Sequence, residues 1–148
     1  MLEPYRVKVG PNWVDYNHHL NEGAYGVIFS NATDHALEEL GLGAAYRERE
    51  GGTFYTVETH TRFLREVKEG TELEITTQVL GVDEKRLHLW HEMHPPGREA
   101  VASQESLLVH VDTATGSARP VAAIAAATEV VSQELPHAAG RGIRRPGR

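Results

Sequence analysis

The feature that most constrains the fold is a long helical pattern followed by four strand patterns that are joined only by short turns. Between residues 25 and 40, apolar side chains recur at the spacing of one helical face, and Gly41 is placed to end the helix. The strand patterns are rich in alternating apolar and β-branched residues and span 53–67, 73–79, 86–94 and 99–112. This order predicts an α+β domain in which an antiparallel sheet packs one face on a long helix.

A shorter strand is predicted ahead of the helix, where weak alternation over residues 5–13 meets Gly10 and Pro11. Asn21 is a natural helix N-cap, and Glu22 is well placed in the first turn against the helix dipole. The helix is therefore predicted to begin directly after Asn21.

The length of 148 residues fits one domain, which we place at residues 1–136. Within it, the alanine-rich run 121–135 predicts a terminal helix. Residues 137–148 carry four arginines among glycine and proline and are predicted to be a disordered basic tail.

Composition excludes several function classes. The chain has no cysteine, so disulfides and thiolate metal sites are ruled out. A net charge of −6 argues against nucleic acid as a partner, because phosphate backbones favour basic surfaces. No apolar run approaches the ~18 residues of a membrane span, and no secretory leader pattern opens the sequence, so we expect a cytoplasmic protein that does not enter the membrane.

The segment that carries the most chemistry is the loop before the long helix, residues 13–25. It places Asp15 and His19 just ahead of a helix N-terminus, where backbone N–H groups have no partner inside the helix. A carboxylate beside free N–H donors is an arrangement that acyl transfer requires. The candidate catalytic groups are Asp15, His19 and the amides at Glu22 and Gly23.

A second candidate group lies on the first long strand, whose alternation puts one set of side chains on a common face. That set is Phe54, Thr56, Glu58, His60 and Arg62. If this face looks toward the helix start, Glu58 and His60 are placed to contact a substrate.

The loop also carries a family resemblance. Residues 15–21, Asp-Tyr-Asn-His-His-Leu-Asn, resemble the pattern Asp-x-Asn-Gly-His-Val/Met-Asn of hot-dog thioesterases of the 4-hydroxybenzoyl-CoA thioesterase type. His18 departs from this pattern, which usually has glycine at that position. The freedom of glycine to adopt a positive φ is therefore lost there. The resemblance spans about residues 5 to 120 and implies a long central helix wrapped by a curved antiparallel sheet of about five strands.

More narrowly, four segments resemble the betainyl-CoA thioesterase branch, which is associated with carnitine breakdown and is sometimes fused to carnitine dehydrogenase. These segments are residues 13–17, 32–34, 55–60 and 83–88. The implied substrate is a small acyl-CoA, and an acyl group of the betaine type carries a quaternary ammonium that aromatic faces and carboxylates bind. Coenzyme A enters as part of the substrate, and no separate cofactor is expected.

The resemblance further implies that Asp15 is the catalytic carboxylate, acting as nucleophile or as general base, and that the amides around Glu22 and Gly23 bind the oxyanion. His19 is expected to orient Asp15, to bind the thioester oxygen or to hold the loop together. Residues expected at the substrate are Asn17, Trp13, Tyr25, Glu58, His60 and Arg62, with Tyr16 and Tyr55 as further aromatic candidates. Basic residues available for the coenzyme A phosphates are Arg62, Arg65, Lys68, Lys85 and Arg86.

Two other functions remain open at this stage. Hot-dog hydratases share a motif Asp-x-Asn-Pro-x-His, but His18 stands at the proline position here. The second alternative is a module that has the same fold and binds acyl-CoA without turnover, so that it shows no Asp15-dependent release of coenzyme A. A metal site is not expected, because His88, Glu92 and His94 lie too far apart along a strand to form a tight ligand set.

The active site of such enzymes lies at a dimer interface, so the resemblance implies a homodimer. One curved sheet with one helix also leaves a strand edge and a helix flank uncovered, which a second copy can cover about a two-fold axis. Whether dimers pair further into a homotetramer is left open.

Overall fold

The computed structural model of the chain describes residues 2–121, 124–143 and 146. Its strands form one antiparallel sheet in the order β1-β3-β4-β5-β2. The strands are β1 (Tyr5–Lys8), β2 (Gly52–Phe63), β3 (Glu72–Val82), β4 (Arg86–His94) and β5 (Ala102–Asp112). The helices are α1 (Glu22–Glu39), α2 (Ala44–Glu50) and α3 (Ala125–Glu129), and a 3-10 turn covers Pro11–Trp13. The predicted α+β architecture is confirmed.

Helix α1 begins and ends where the sequence predicts. The side chain of Asn21 caps it by accepting the Gly23 N–H at 2.8 Å. At the other end Gly41 has φ 70°, the left-handed conformation that glycine adopts without a steric penalty. The apolar face of α1 is buried, with Ile28 and Phe29 fully inaccessible to solvent.

The core lies between α1 and the sheet and has two parts. Near the start of α1, Ile28 and Phe29 pack with Ile75 and Met93, and near its end Leu37 packs with the buried leucines of β4. Burying each large aliphatic side chain contributes about 1.5–3 kcal/mol, so this contact fixes the helix on the sheet.

A histidine joins the helix to the sheet in the middle of this core. His91 is fully buried, with Nε2 3.0 Å from Thr33 Oγ1 of α1 and Nδ1 3.0 Å from Thr77 Oγ1 of β3. Burial lowers the pKa of His91 to about 4, because the charged ring is poorly solvated there. His91 is thus a neutral polar link between α1 and β3.

The prediction that one face of β2 carries residues 54, 56, 58, 60 and 62 is wrong beyond residue 56. A β-bulge at Val57 shifts the register, so that Thr56 pairs with Leu108 whereas Glu58 pairs with Leu107. Leu108 belongs to the helix-side core and its neighbour Leu107 points to the opposite face. Phe54 and Thr56 therefore face the helix, and Glu58, His60 and Arg62 lie on the outer face of the sheet.

The C-terminal segment differs from its prediction. Helix α3 covers five residues, after which Val131 bridges to Val79 of β3 and Ser132 N donates to Val79 O at 2.8 Å. β-Branched valines favour this extended pairing over continuation of the helix. The predicted tail from residue 137 stays a prediction, because residues 144, 145, 147 and 148 lie outside the described part. Gly140 N donates to the Glu105 carboxylate at 2.9 Å.

In the part of the chain that the structure describes, no helix has the length and apolar character that crossing a membrane requires.

Candidate active site

The loop before α1 is a tight hairpin. Val14 and Leu20 form its base as an isolated antiparallel bridge, and Asp15 N donates to His19 O at 3.0 Å. Within the turn, His18 N donates to Asp15 O at 2.9 Å. The bridge between His19 and Lys68 ties the hairpin to the segment after β2. These backbone bonds give Asp15 a fixed position ahead of the helix.

His18 occupies the position at which the related pattern usually has glycine, and its φ is 62°. Non-glycine side chains are strained in this left-handed region by about 1 kcal/mol. The backbone conformation that glycine favours is therefore present despite the substitution.

The Asp15 side chain contributes to its own turn. Its Oδ1 accepts the N–H of Asn17 at 2.8 Å, and its Oδ2 has no protein donor among the described residues. Asn17 serves this turn through its backbone. One oxygen of the carboxylate thus orients the group, and the other is available for chemistry.

The first amides of α1 are not equivalent. Gly23 N–H is taken by Asn21 Oδ1 at 2.8 Å, and Ala24 and Tyr25 donate to Asn21 O. Within the described part of the chain, Glu22 N–H has no acceptor. Of the two predicted oxyanion donors, Glu22 N–H is available, whereas Gly23 N–H already serves the helix cap.

The His19 ring contacts Glu66, which lies in the segment after β2. Its Nδ1 lies 3.3 Å from Glu66 Oε2, and among the described residues its ring makes no recorded contact with the Asp15 carboxylate. An orienting role toward Asp15 stays a prediction, and the geometry shows a ring that joins the hairpin to Glu66.

A cleft of about 580 Å³ opens at the start of α1. It is lined by Leu20, Glu22, Tyr25, Phe63, Leu64, Arg65 and Glu66. The rings of Tyr25 and Phe63 meet edge to face, with centroids 5.0 Å apart. Burial, and then the nearby Glu66 carboxylate, raise the pKa of the Tyr25 hydroxyl. We call this the helix-start cleft.

A second cleft of about 580 Å³ adjoins it and shares Arg65 and Glu66. Its basic lining residues are Arg65, Lys68 and Arg98. Arg98 was missed by the sequence analysis, and it reaches this place because the β4–β5 turn lies at the same end of the sheet as the hairpin. We call this the basic cleft.

The other predicted coenzyme A residues lie elsewhere. Lys85 and Arg86 occupy the β3–β4 turn at the opposite end of the sheet. Arg86 Nε donates to Asp83 Oδ2 at 2.7 Å, and this hydrogen bond, followed by that from the Lys85 backbone, lowers the pKa of Asp83 to about 2. Within one copy of the chain these cations are committed to a turn and do not reach the basic cleft.

The predicted substrate residues of β2 do not join the hairpin either. Glu58 and His60 line a separate outer-face cleft of about 390 Å³, together with His88 and Glu105. His88 Nε2 lies 2.7 Å from Glu105 Oε1. The bulge at Val57 is the reason, since beyond it the side chains of Glu58 and His60 lie on the outer face, whereas Phe63 packs against Tyr25 of α1.

The aromatic candidates divide in the same way. Tyr25 lines the helix-start cleft, whereas Trp13 packs against the core and its carbonyl accepts the Asn21 N–H at 2.7 Å. Tyr16 is 92% exposed at the hairpin tip, and Tyr55 lies exposed on β2. Of these rings, only Tyr25 lines that cleft.

In the residues that the structure describes, no three histidine, aspartate or glutamate side chains are grouped to hold a metal ion. Within the predicted set, His88 pairs with Glu105, and Glu92 accepts from Trp90 Nε1 at 3.1 Å.

A family model described as the thioesterase-like superfamily matches residues 9–135. The chain belongs to the thioesterase-like superfamily. This superfamily member is 45% identical over 112 residues to betainyl-CoA thioesterase of Pseudomonas aeruginosa, covering 75% of this chain and 70% of that protein.

It is 43% identical over 148 residues to L-carnitine dehydrogenase/betainyl-CoA thioesterase of Agrobacterium fabrum. That match covers 97% of this chain and 30% of the longer protein. Among solved structures, a Pseudomonas putida KT2440 protein classed by inference as a thioesterase has a TM-score of 0.83 at 36% identity, covering 98% of this chain and 97% of that one. The resemblance to hot-dog thioesterases is confirmed, and the similarity extends to the betainyl-CoA branch.

Proposed function

We propose that this superfamily member hydrolyses a small acyl-CoA thioester to the free acid and coenzyme A, with betainyl-CoA as the first candidate substrate. The observation that carries the proposal is the placement of Asp15, fixed in the hairpin, just ahead of the start of α1, where the Glu22 N–H has no acceptor in the described part of the chain. The 45% identity to a protein named betainyl-CoA thioesterase supports the choice of substrate.

The chemistry follows from this placement. The thioester carbonyl oxygen accepts the Glu22 N–H at the positive end of the helix dipole, and this donor stabilises the tetrahedral oxyanion by about 3 kcal/mol. Asp15 then acts in one of two ways. As a nucleophile it attacks the carbonyl carbon and expels the coenzyme A thiolate, and water hydrolyses the resulting mixed anhydride.

As a general base, Asp15 instead removes a proton from water while that water attacks the carbonyl carbon. The tetrahedral intermediate collapses, the C–S bond breaks and the thiolate takes up a proton. Both routes consume one water and yield the free acid and coenzyme A. Neither route draws on a metal or a cofactor, and this metal-independence is part of the proposal.

The basic cleft is the proposed binding place of the coenzyme A phosphates. Lys68 and Arg98 line it, and the shared residue Arg65 connects it with the helix-start cleft. A thioester bound across the two clefts has its phosphates near these cations and its acyl end near Glu22. Lysine and arginine bind phosphate through charge-assisted hydrogen bonds.

The working unit that we propose is a homodimer formed through β2. This strand pairs with β5 on one side and is the last strand of the sheet on the other. Its edge and the adjoining helix carry exposed apolar side chains, among them Val57 at 57% and Val27 at 47% exposure. Covering an open strand edge and these side chains favours a second copy. A tetramer and a cytoplasmic location stay predictions.

The test is release of free thiol from a panel of acyl-CoAs that includes betainyl, short-chain and aromatic thioesters. Release from betainyl-CoA above the others supports both reaction and substrate. Release from other thioesters alone keeps the reaction and rejects the substrate. Hydration of an enoyl-CoA, or ligand binding with no release from any thioester, would reject the thioesterase in favour of a hydratase or a binding module.

A further inference from the structure

The helix-start cleft combines two aromatic rings with two carboxylates. Tyr25 is buried and forms an edge-to-face pair with Phe63, and in one copy of the chain Phe63 is 51% exposed, so part of the Phe63 ring is free of protein contacts there. Glu22 and Glu66 line the same cleft. Aromatic rings and carboxylates both attract cations, and a ring attracts a quaternary ammonium that has no N–H to donate.

The charges of this cleft are unbalanced. Arg65 is the one lysine or arginine that lines it in the described chain, and its guanidinium is paired with Glu99, which lines the basic cleft. Glu22 and Glu66 are thus left without an arginine or lysine partner among the residues described. The His19 ring is a further neighbour, with Nδ1 3.3 Å from Glu66 Oε2, and it adds positive charge only when protonated.

We propose that the helix-start cleft is the site that selects a cationic acyl group, with Glu66 and Phe63 as the residues that determine this specificity. The inference rests on the proposed function and names the recognition that goes with it. The ligand class is a short acyl chain ending in a trimethylammonium group. The ammonium lies against the exposed part of the Phe63 ring, behind which Tyr25 is buried, with the Glu66 carboxylate beside it.

The position of Glu22 connects recognition to chemistry. Glu22 lines this cleft and its N–H is the proposed oxyanion donor. In a betainyl thioester a single methylene separates the ammonium nitrogen from the carbonyl carbon. A head group held in this cleft therefore keeps the carbonyl within reach of the Glu22 N–H.

The two adjoining clefts sort the two ends of the substrate by charge. In the basic cleft Arg65 is paired with Glu99, and Lys68 and Arg98 are the further cations that suit phosphate. Glu66 lies where the two clefts meet, and Glu22 lines the helix-start cleft alone, so the carboxylates that suit an ammonium lie toward the helix start. A substrate with an anionic coenzyme and a cationic acyl end is bound in one orientation by this arrangement.

The test compares betainyl-CoA with 3,3-dimethylbutanoyl-CoA, in which carbon replaces the ammonium nitrogen and the shape is kept. We expect the wild type to prefer the cationic thioester in kcat/KM. Glu66→Gln should lower this preference about tenfold, mainly through KM for betainyl-CoA, and Phe63→Leu should lower it about threefold. The matched control is Glu69→Gln, an exposed acid nearby that lines neither cleft, and it should keep the wild-type preference.

A loss that acts through the His19 contact would lower the rates of both thioesters equally and leave their ratio unchanged, so an unchanged ratio in Glu66→Gln overturns the inference. The same result follows if the neutral thioester is the better wild-type substrate. Calorimetry of both thioesters on an Asp15→Asn background gives a readout without turnover. If no thioester is hydrolysed, the proposed function fails, and Glu66-dependent affinity for the cationic ligand still decides this inference.

Discussion

The Oδ1 of Asp15 accepts the backbone N–H of Asn17 at 2.8 Å, so the acid ahead of α1 also builds the turn that carries it. Because Asp15 has both roles, two substitutions that remove the same charge should differ in their effect on stability. Asp15→Asn keeps a side-chain oxygen for the Asn17 N–H, whereas Asp15→Ala removes it. We expect the free energy of unfolding of Asp15→Ala to be about 1 kcal/mol lower than that of Asp15→Asn. Urea titrations of the two variants test this, provided that their m-values are equal. Equal urea midpoints for the two variants would show that the turn does not depend on the Asp15 side chain.

The left-handed backbone of His18 predicts a stabilising substitution. Because φ is 62° at this position, His18→Gly relieves steric strain and should raise the free energy of unfolding by about 0.5–1 kcal/mol. The control is Asn17→Gly, at a neighbour without positive φ, where the added freedom of the unfolded chain should destabilise. Thermal unfolding of the two variants should give shifts of opposite sign, and a destabilised His18→Gly would contradict the loop geometry.

The buried His91 predicts a loss of stability in mild acid. Its pKa is lowered to about 4 in the folded chain, whereas an unfolded histidine binds a proton near pH 6.5. Below about pH 6.5 the unfolded state therefore holds more protons, and the free energy of unfolding should fall by about 1 kcal/mol per pH unit until about pH 4. Urea titrations between those pH values measure the slope.

Substituting His91 tests whether this ring is the cause. His91→Gln removes the titrating group, so the slope between about pH 6.5 and pH 4 should flatten. The exposed His137 provides the control, because His137→Gln should leave the slope as in the wild type. An unchanged slope in His91→Gln would assign the acid sensitivity to other groups.

The open edge of β2 predicts a dimer, and a charge introduced at the middle of this edge should weaken it. Val57 is 57% exposed at the bulge of this edge, and Val57→Lys places a cation where a second copy is proposed to pair. We expect light scattering to show a dimer for the wild type at micromolar concentration and a shift toward monomer for Val57→Lys. Leu135→Lys, at another exposed apolar position, should stay dimeric. A monomeric wild type would count against an interfacial site.

The fold could be predicted from the sequence wherever local sequence signals determine the structure. Asn21 and Gly41 mark the ends of α1 because capping and left-handed glycine are local requirements, and they lie as predicted. The alternation was equally direct in β4 and in β3 from Leu73 to Val79, where the period of two holds up to a second register shift at Leu80. These segments fix the fold and place Asp15 ahead of the helix.

Features that depend on tertiary contacts could not be predicted in this way. The bulge at Val57 has no marker in the alternating pattern of the sequence, so Glu58 and His60 were predicted to share a face with Phe54 and Thr56, which they do not. Arg98 reaches the basic cleft only through the topology that brings the β4–β5 turn beside the hairpin. The use of the Gly23 N–H by the Asn21 cap depends on the orientation of the Asn21 side chain.

The central claim is that Asp15 performs the chemistry, and the most direct measurement is kcat for coenzyme A release by Asp15→Asn. Asp34→Asn is the matched control, because Asp34 is an exposed acid of α1 that lies more than three turns along the helix from Glu22. The account predicts that Asp15→Asn folds, binds acyl-CoA and loses about a thousandfold in kcat, while Asp34→Asn stays close to the wild type. Full turnover by a folded Asp15→Asn would contradict the account.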